Sequence, residues 1–152
     1  MGHFVTGIIV KKSDGKKIAS IIPFDYFHPL NQGFVIFPLT DDLIDEKIPA
    51  PMNFCFDEFT YLSEELSNML IRGSSEADIM YFETKYFGGQ GSQSTVVYRA
   101  NKAIYGPKQS QSSVISEALE LMGAKVESGH YDTFESVGLA NFRSSESLLD
   151  NG

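Results

Sequence analysis

The sequence predicts an α+β fold: a mainly antiparallel sheet of about five to six strands with two main helices packed on one face. Three observations carry that prediction. Short runs of β-branched and aromatic residues are punctuated by glycine, proline and Asp-Gly corners. Two longer stretches repeat apolar residues at helical spacing. No internal repeat, linker or coiled-coil heptad interrupts the 152 residues, so 1–152 reads as a single domain. A chain of this length buries roughly 70% of the surface its unfolded form exposes, enough for a core without staples.

Phe4–Val10 and Lys17–Ile22 are β-rich runs on either side of Ser13-Asp14-Gly15. Asp-Gly between such runs predicts a hairpin, because glycine accepts the positive φ of a tight turn. Pro23, Pro29 and Asn31-Gln32-Gly33 mark an irregular connection. Gly33–Leu39 is a third strand that Pro38 closes or places at an edge. Thr40 caps a short helix over Asp41–Glu46, whose early acids suit the helix dipole, and Ile48-Pro49-Ala50-Pro51 ends it. A longer helix is predicted from about Asp57 to Arg72. Its apolar stripe is Phe59, Leu62, Leu66, Met69 and Leu70, and Gly73 is a natural stop.

Ala77–Phe87 and Ser94–Arg99 read as strands around a glycine loop, with a further short strand at Ala103–Tyr105 completing a meander. Ser113 is placed to cap a helix over Val114–Met122, with Ile115, Ala118, Leu119 and Met122 facing the core and Gly123 ending it. Asp132 and Glu135 have capping-box spacing for a short turn reaching Val137. Arg143–Gly152 either frays or holds one last turn on Leu148 and Leu149.

The net charge is −8, unevenly placed: residues 1–40 carry +2, residues 41–65 carry −7 and residues 66–152 carry −3. The acidic block comprises Asp41, Asp42, Asp45, Glu46, Asp57, Glu58, Glu64 and Glu65, relieved only by Lys47. The one basic cluster is Lys11, Lys12, Lys16 and Lys17. Both patches also read as plain solvated surface. Nucleic-acid binding through a broad basic face is disfavoured, because phosphate contacts need clustered Lys and Arg. No apolar run approaches the roughly 20 residues of a membrane span, and no basic segment followed by an apolar stretch marks a secretory signal. A single cysteine excludes an intramolecular disulfide and points to a reducing compartment, so the expected location is cytoplasmic with no membrane partner.

The candidate ligand or partner loop is Gly88, Gly89, Gln90, Gly91, Ser92 and Gln93, with Ser94 beside it. Its glycines lead into a strand pattern rather than a helix, and no Gly-Lys-Ser/Thr ending or Gly-x-Gly-x-x-Gly spacing occurs. It therefore lacks the helix N-terminus of a phosphate cradle. It either bends a strand pair or presents Gln90, Ser92, Gln93 and Ser94 to a partner. Gly89–Gln93 is similar to a segment of acyl-carrier-protein transacylases, but no Gly-x-Ser-x-Gly nucleophile elbow accompanies it. Cys55 sits between Phe54 and Phe56, which predicts a buried, inert thiol. His3, His28 and His130 lack metal-ligand spacing, so neither a metal nor a cofactor is expected. His130-Tyr131-Asp132 could supply a base with an orienting carboxylate, or simply a turn and helix cap. Glu83 shares a strand face with Ile79, Tyr81, Lys85 and Phe87, which predicts a partly buried carboxylate paired with Lys85 or Arg143.

The second half resembles small bacterial proteins found among the immunity proteins of polymorphic toxin systems. The resemblance rests on Glu83–Gln93, Ser116-Glu117-Ala118-Leu119, and Val137-Gly138-Leu139 with Phe142-Arg143. It implies a small cytoplasmic α+β protein that binds and blocks another protein. The expected function is a non-enzymatic binding domain, an immunity-type inhibitor engaging a basic toxin domain through Asp41, Asp42, Asp45, Glu46, Glu64 and Glu65. The alternative is a small hydrolase or transferase with its site near residues 88–94, drawing on Glu83, His130 or Asp132. Pairing of exposed strand edges would give a homodimer.

Overall fold

The computed structural model describes residues 2–48, 56–87 and 90–145. Its centre is one antiparallel sheet of β1 (Gly2–His3), β2 (Thr6–Lys11), β3 (His28–Pro29), β4 (Phe34–Leu39), β5 (Ile79–Phe87), β6 (Gln90–Arg99) and β7 (Lys102–Ser110). The strands lie in the order β3-β4-β2-β5-β6-β7, and β1 extends the β2 side of β5. The α+β class and the antiparallel sheet are as the sequence predicts. The third meander strand is longer than Ala103–Tyr105, because the whole of Gln93–Arg99 offers it a partner.

Five helices surround the sheet among the described residues: α1 (Gly15–Ala19), α2 (Asp41–Lys47), α3 (Glu64–Gly73), α4 (Val114–Leu121) and α5 (Thr133–Ser136). The two longest do not share a face. Alternate residues of a strand point to opposite sides. Ile8, Val10, Tyr81 and Val96 pack with Leu66 and Leu70 of α3, whereas Ile9, Met80, Phe82 and Val97 pack with Ile115 and Leu119 of α4. The sheet is apolar on both faces, so each face needs its own cover. Fully burying a leucine such as Leu66 or Leu70 contributes about 1.5–3 kcal/mol. Tyr98 reaches out of the sheet to Ser67 of α3, their hydroxyls 2.6 Å apart, which satisfies both within the core.

The predicted hairpin at Ser13-Asp14-Gly15 does not form. A 3-10 turn over Lys12–Asp14 leads into α1. Both edges of β2 are already taken by β4 and β5, so residues 17–22 have no ladder to join. Ile18 and Ile22, four residues apart, are instead buried together on one side of the turn. The helix predicted from Asp57 begins only at Glu64, where the Ser63 side chain accepts from the Leu66 amide. Thr40 caps α2 and Asp132 caps α5 as expected. Leu148 and Leu149 lie outside the described residues.

One edge of the sheet is β7, where Pro107 offers no N–H and Lys102 and Lys108 add charge. Such features oppose edge-to-edge pairing. At the opposite end of the chain, Phe4 forms a parallel bridge to Ser144, and Ser145 both accepts from the Thr6 amide (2.9 Å) and donates to the Thr6 carbonyl (3.0 Å).

His3 secures this corner. Its Nε2 lies 3.1 Å from the Leu139 carbonyl and its Nδ1 2.7 Å from the Thr84 hydroxyl. A neutral ring meets both needs, donating from Nε2 and accepting at Nδ1. Burial, with the nearby Arg143 charge adding to it, holds the ring below the usual imidazole range against the raising effect of the Leu139 carbonyl. The unfolded chain therefore takes up this proton at higher pH than the folded one, and stability falls as pH drops through the ordinary histidine range near ~6.5. Thermal unfolding should show a Tm that declines between about pH 7 and pH 5, with part of that decline removed in His3→Gln. Parallel pH profiles for both proteins would rule out this role for His3.

Candidate functional site

The face of the sheet that carries α3 changes character along the strands. Phe37, Ile8, Tyr81 and Val96 form one apolar row across β4, β2, β5 and β6. Two residues further along each strand, the next same-face row is Leu39, Thr6, Glu83 and Ser94, continued by Gln109 of β7. All five residues of this second row line a cleft of about 140 Å³. The core stops here because the side chains become polar, and the segment 56–63 closes over them in place of a helix.

Glu83 makes that closure possible. It is 8% exposed. Its Oε1 accepts from the Thr60 amide at 2.7 Å, and its Oε2 accepts from the Tyr61 amide at 2.9 Å and the Tyr81 hydroxyl at 2.7 Å. A desolvated carboxylate is costly unless its oxygens are bonded, and three donors here meet that need. Burial, with Glu83 alongside, pushes the Tyr81 phenol well above its usual range, so it remains a protonated donor. Phe59 stacks edge-on against Tyr81 with ring centroids 5.4 Å apart, carrying the same segment into the core. Lys85 donates to the Thr60 hydroxyl at 3.2 Å at the rim. The expected cation beside Glu83 is thus replaced by amides and a phenol, while Lys85 bonds Thr60 and Arg143 acts on His3.

Asp41 and Glu58 border the cleft, so α2 and the 56–63 segment each contribute one carboxylate to its lining. Asp42 and Glu46 border a second hollow of about 270 Å³ with Asp25 and Lys47, and Thr40 lines both. Asp41, Asp42, Asp45, Glu46 and Glu64 are exposed and Glu65 is half-buried. Glu64 and Glu65 occupy the first turn of α3 and line neither hollow.

The glycine-rich stretch is mostly strand. Gly88 and Gly89 lie outside the described residues, as does Cys55, whereas Gln90, Gly91, Ser92 and Gln93 belong to β6. Gly91 has φ +150°, and a Cβ there would sit 1.8 Å from the Lys85 carbonyl oxygen, so this position needs glycine. Gln93 is 7% exposed and turned inward. Its Oε1 accepts from the Ile115 amide at 2.8 Å at the start of α4, and its Nε2 donates to Tyr86. Ser92 and Ser94 instead line the cleft.

His130 and Asp132 do not join Glu83. His130 Nδ1 lies 3.0 Å from the Ser136 hydroxyl and 3.6 Å from Glu127, and the Asp132 side chain accepts from the Glu135 amide. They sit beside α5, which packs with α4 on the opposite side of the sheet from the cleft. Among the described residues no group of three or more His, Cys, Asp or Glu side chains could hold a metal ion. None of their helices is long and apolar enough to cross a membrane. Thr6 was not singled out by sequence, and Ser94 was read only as part of the glycine loop, not as a neighbour of Glu83. The available signal was the period-two pattern that places Thr6 on the face of Ile8 and Val10.

Glu83→Gln keeps the side-chain volume but aims an amide at groups that are themselves donors. Chemical denaturation should show a loss of about 2–3 kcal/mol, the scale of a hydrogen-bonded charge replaced by an unsatisfied contact. An unchanged midpoint would mean that Glu83 does not hold the 56–63 segment. Comparison of the chain with protein-family models, curated proteins and solved structures finds no match, so the functional reading rests on the site itself.

Proposed function

We propose that this chain is a non-enzymatic protein-binding domain that engages a basic protein partner through the acidic face of α2 and residues 56–65, as a cytoplasmic immunity-type inhibitor would. The observation that carries the reading is the arrangement of exposed carboxylates. Asp41, Asp42, Asp45 and Glu46 project from one short helix, and Asp41 and Glu58 line the same cleft. Within α2, Lys47 pairs with its neighbour Glu46 at 3.8 Å. Both groups of that pair are well exposed, and such pairs neutralise little of a surface field. Clustered like charges of this kind accelerate encounter with an oppositely charged partner and select against acidic ones.

The hydrolase alternative has less support. Its residues are divided between two faces of the sheet, and Glu83, the one carboxylate at the cleft floor, already holds three donors. The test uses affinity capture of basic proteins from the source cells with the wild-type chain and with Asp42→Lys/Asp45→Lys/Glu46→Lys. Retention at about 50 mM salt should be lost near about 0.5 M, where the Debye length shrinks to a few Å. The variant should lower the association rate by about 10-fold or more. Equal retention by the variant, or binding insensitive to salt, would overturn the reading.

A further inference from the structure

We infer that the cleft over Thr6, Glu83 and Ser94 receives one arginine side chain of the basic partner, an inference that rests on the binding role proposed above. Two hydroxyls point to a ligand independently of charge. Thr6 is 8% exposed and Ser94 3%, and among the described residues neither hydroxyl has a hydrogen-bond partner. The contacts of Thr6 with Ser145 use its backbone N–H and carbonyl and leave Oγ1 unused. No fully enclosed side-chain polar atom lacks a partner among the described residues, so these hydroxyls open onto the cleft. Almost wholly buried hydroxyls facing an open space are left to bond a ligand, to which each can both donate and accept.

The surroundings decide what kind of ligand. Asp41, Glu58 and Glu83 face the cleft against one ammonium, that of Lys85 at its rim. A phosphate or carboxylate would be repelled, whereas a cation is favoured. The bonds to Glu83 place one donor on Oε1 and two on Oε2, and a carboxylate offers about four acceptor positions. Oε1 can therefore accept one more. A guanidinium consists only of donors, five N–H groups in a planar fork, and is weakly hydrated enough to enter a desolvated site. At about 140 Å³ the cleft is below the roughly 300–1,000 Å³ of small-molecule sites, and its size suits one side chain.

The probe is the peptide acetyl-Gly-Arg-Gly-amide, titrated into the 15N-labelled chain and followed by amide chemical shifts, with the citrulline peptide as its neutral isostere. Saturable shifts are expected at Thr60, Tyr61, Glu83 and Ser94 with arginine, and affinity about 10-fold or more weaker with citrulline. Thr6→Val, close to isosteric, should weaken the arginine peptide several-fold while leaving the unfolding midpoint near wild type. Equal shifts with arginine and citrulline, or none in the cleft, would overturn the inference. Shifts confined to Asp42, Asp45 and Glu46 would overturn it while leaving the acidic-face reading intact. A cleft that saturates with arginine in a chain whose partner binding ignores salt would remove that reading and keep the guanidinium site.

Discussion

The candidate site depends on one buried carboxylate. Glu83 stands where the sheet leaves its apolar core, and it accepts from two consecutive backbone amides and a tyrosine hydroxyl. Without those bonds a desolvated charge at this position would cost several kcal/mol. With them, the cost becomes an anchor for a segment with no regular structure. Residues 56–63 have no strand or helix of their own to supply backbone partners for Thr60 and Tyr61. Glu83 supplies them, and Phe59 against Tyr81 adds the apolar half of the same attachment.

That anchor connects packing to binding. The 56–63 segment brings Glu58 to the lining of the cleft, to which Asp41 at the start of α2 also contributes. The floor beneath is a single cross-strand row, Thr6, Glu83 and Ser94, one step past the fully buried row of Ile8, Tyr81 and Val96. The two-residue period of the strands thus sets both the core and the cleft on one face. The other face is closed by α4, whose first turn is bonded by Gln93 from the same strand that provides Ser94.

Much of this was legible in the sequence, and the failures share a physical cause. Strands β5 and β6, the caps at Thr40 and Asp132 and the apolar face of α4 all follow from local patterns. The hairpin at Asp14-Gly15 failed because strand propensity says nothing of whether a sheet edge is free, and β2 had none to offer. The two main helices were expected on one face, although β5 is apolar on both sides from Ile79 to Phe82 and so needs cover on both. Glu83 was read as partly buried, but two of its three partners are backbone amides more than 20 residues away in sequence, which no side-chain pattern reveals. Ser94 was grouped with the glycine loop, and only the strand register places it beside Glu83.

Glu83 holds the 56–63 segment on the sheet through the Thr60 and Tyr61 amides. Native-state hydrogen exchange at the Thr60 and Tyr61 amides tests it most directly, because both side chains are exposed and neither residue lies in a helix or strand. These two amides should exchange about 100-fold or more slowly than the neighbouring amides of Asp57 and Glu58, in keeping with opening that requires breaking a buried charge-assisted contact. Exchange of Thr60 and Tyr61 at the rate of those neighbours would contradict it.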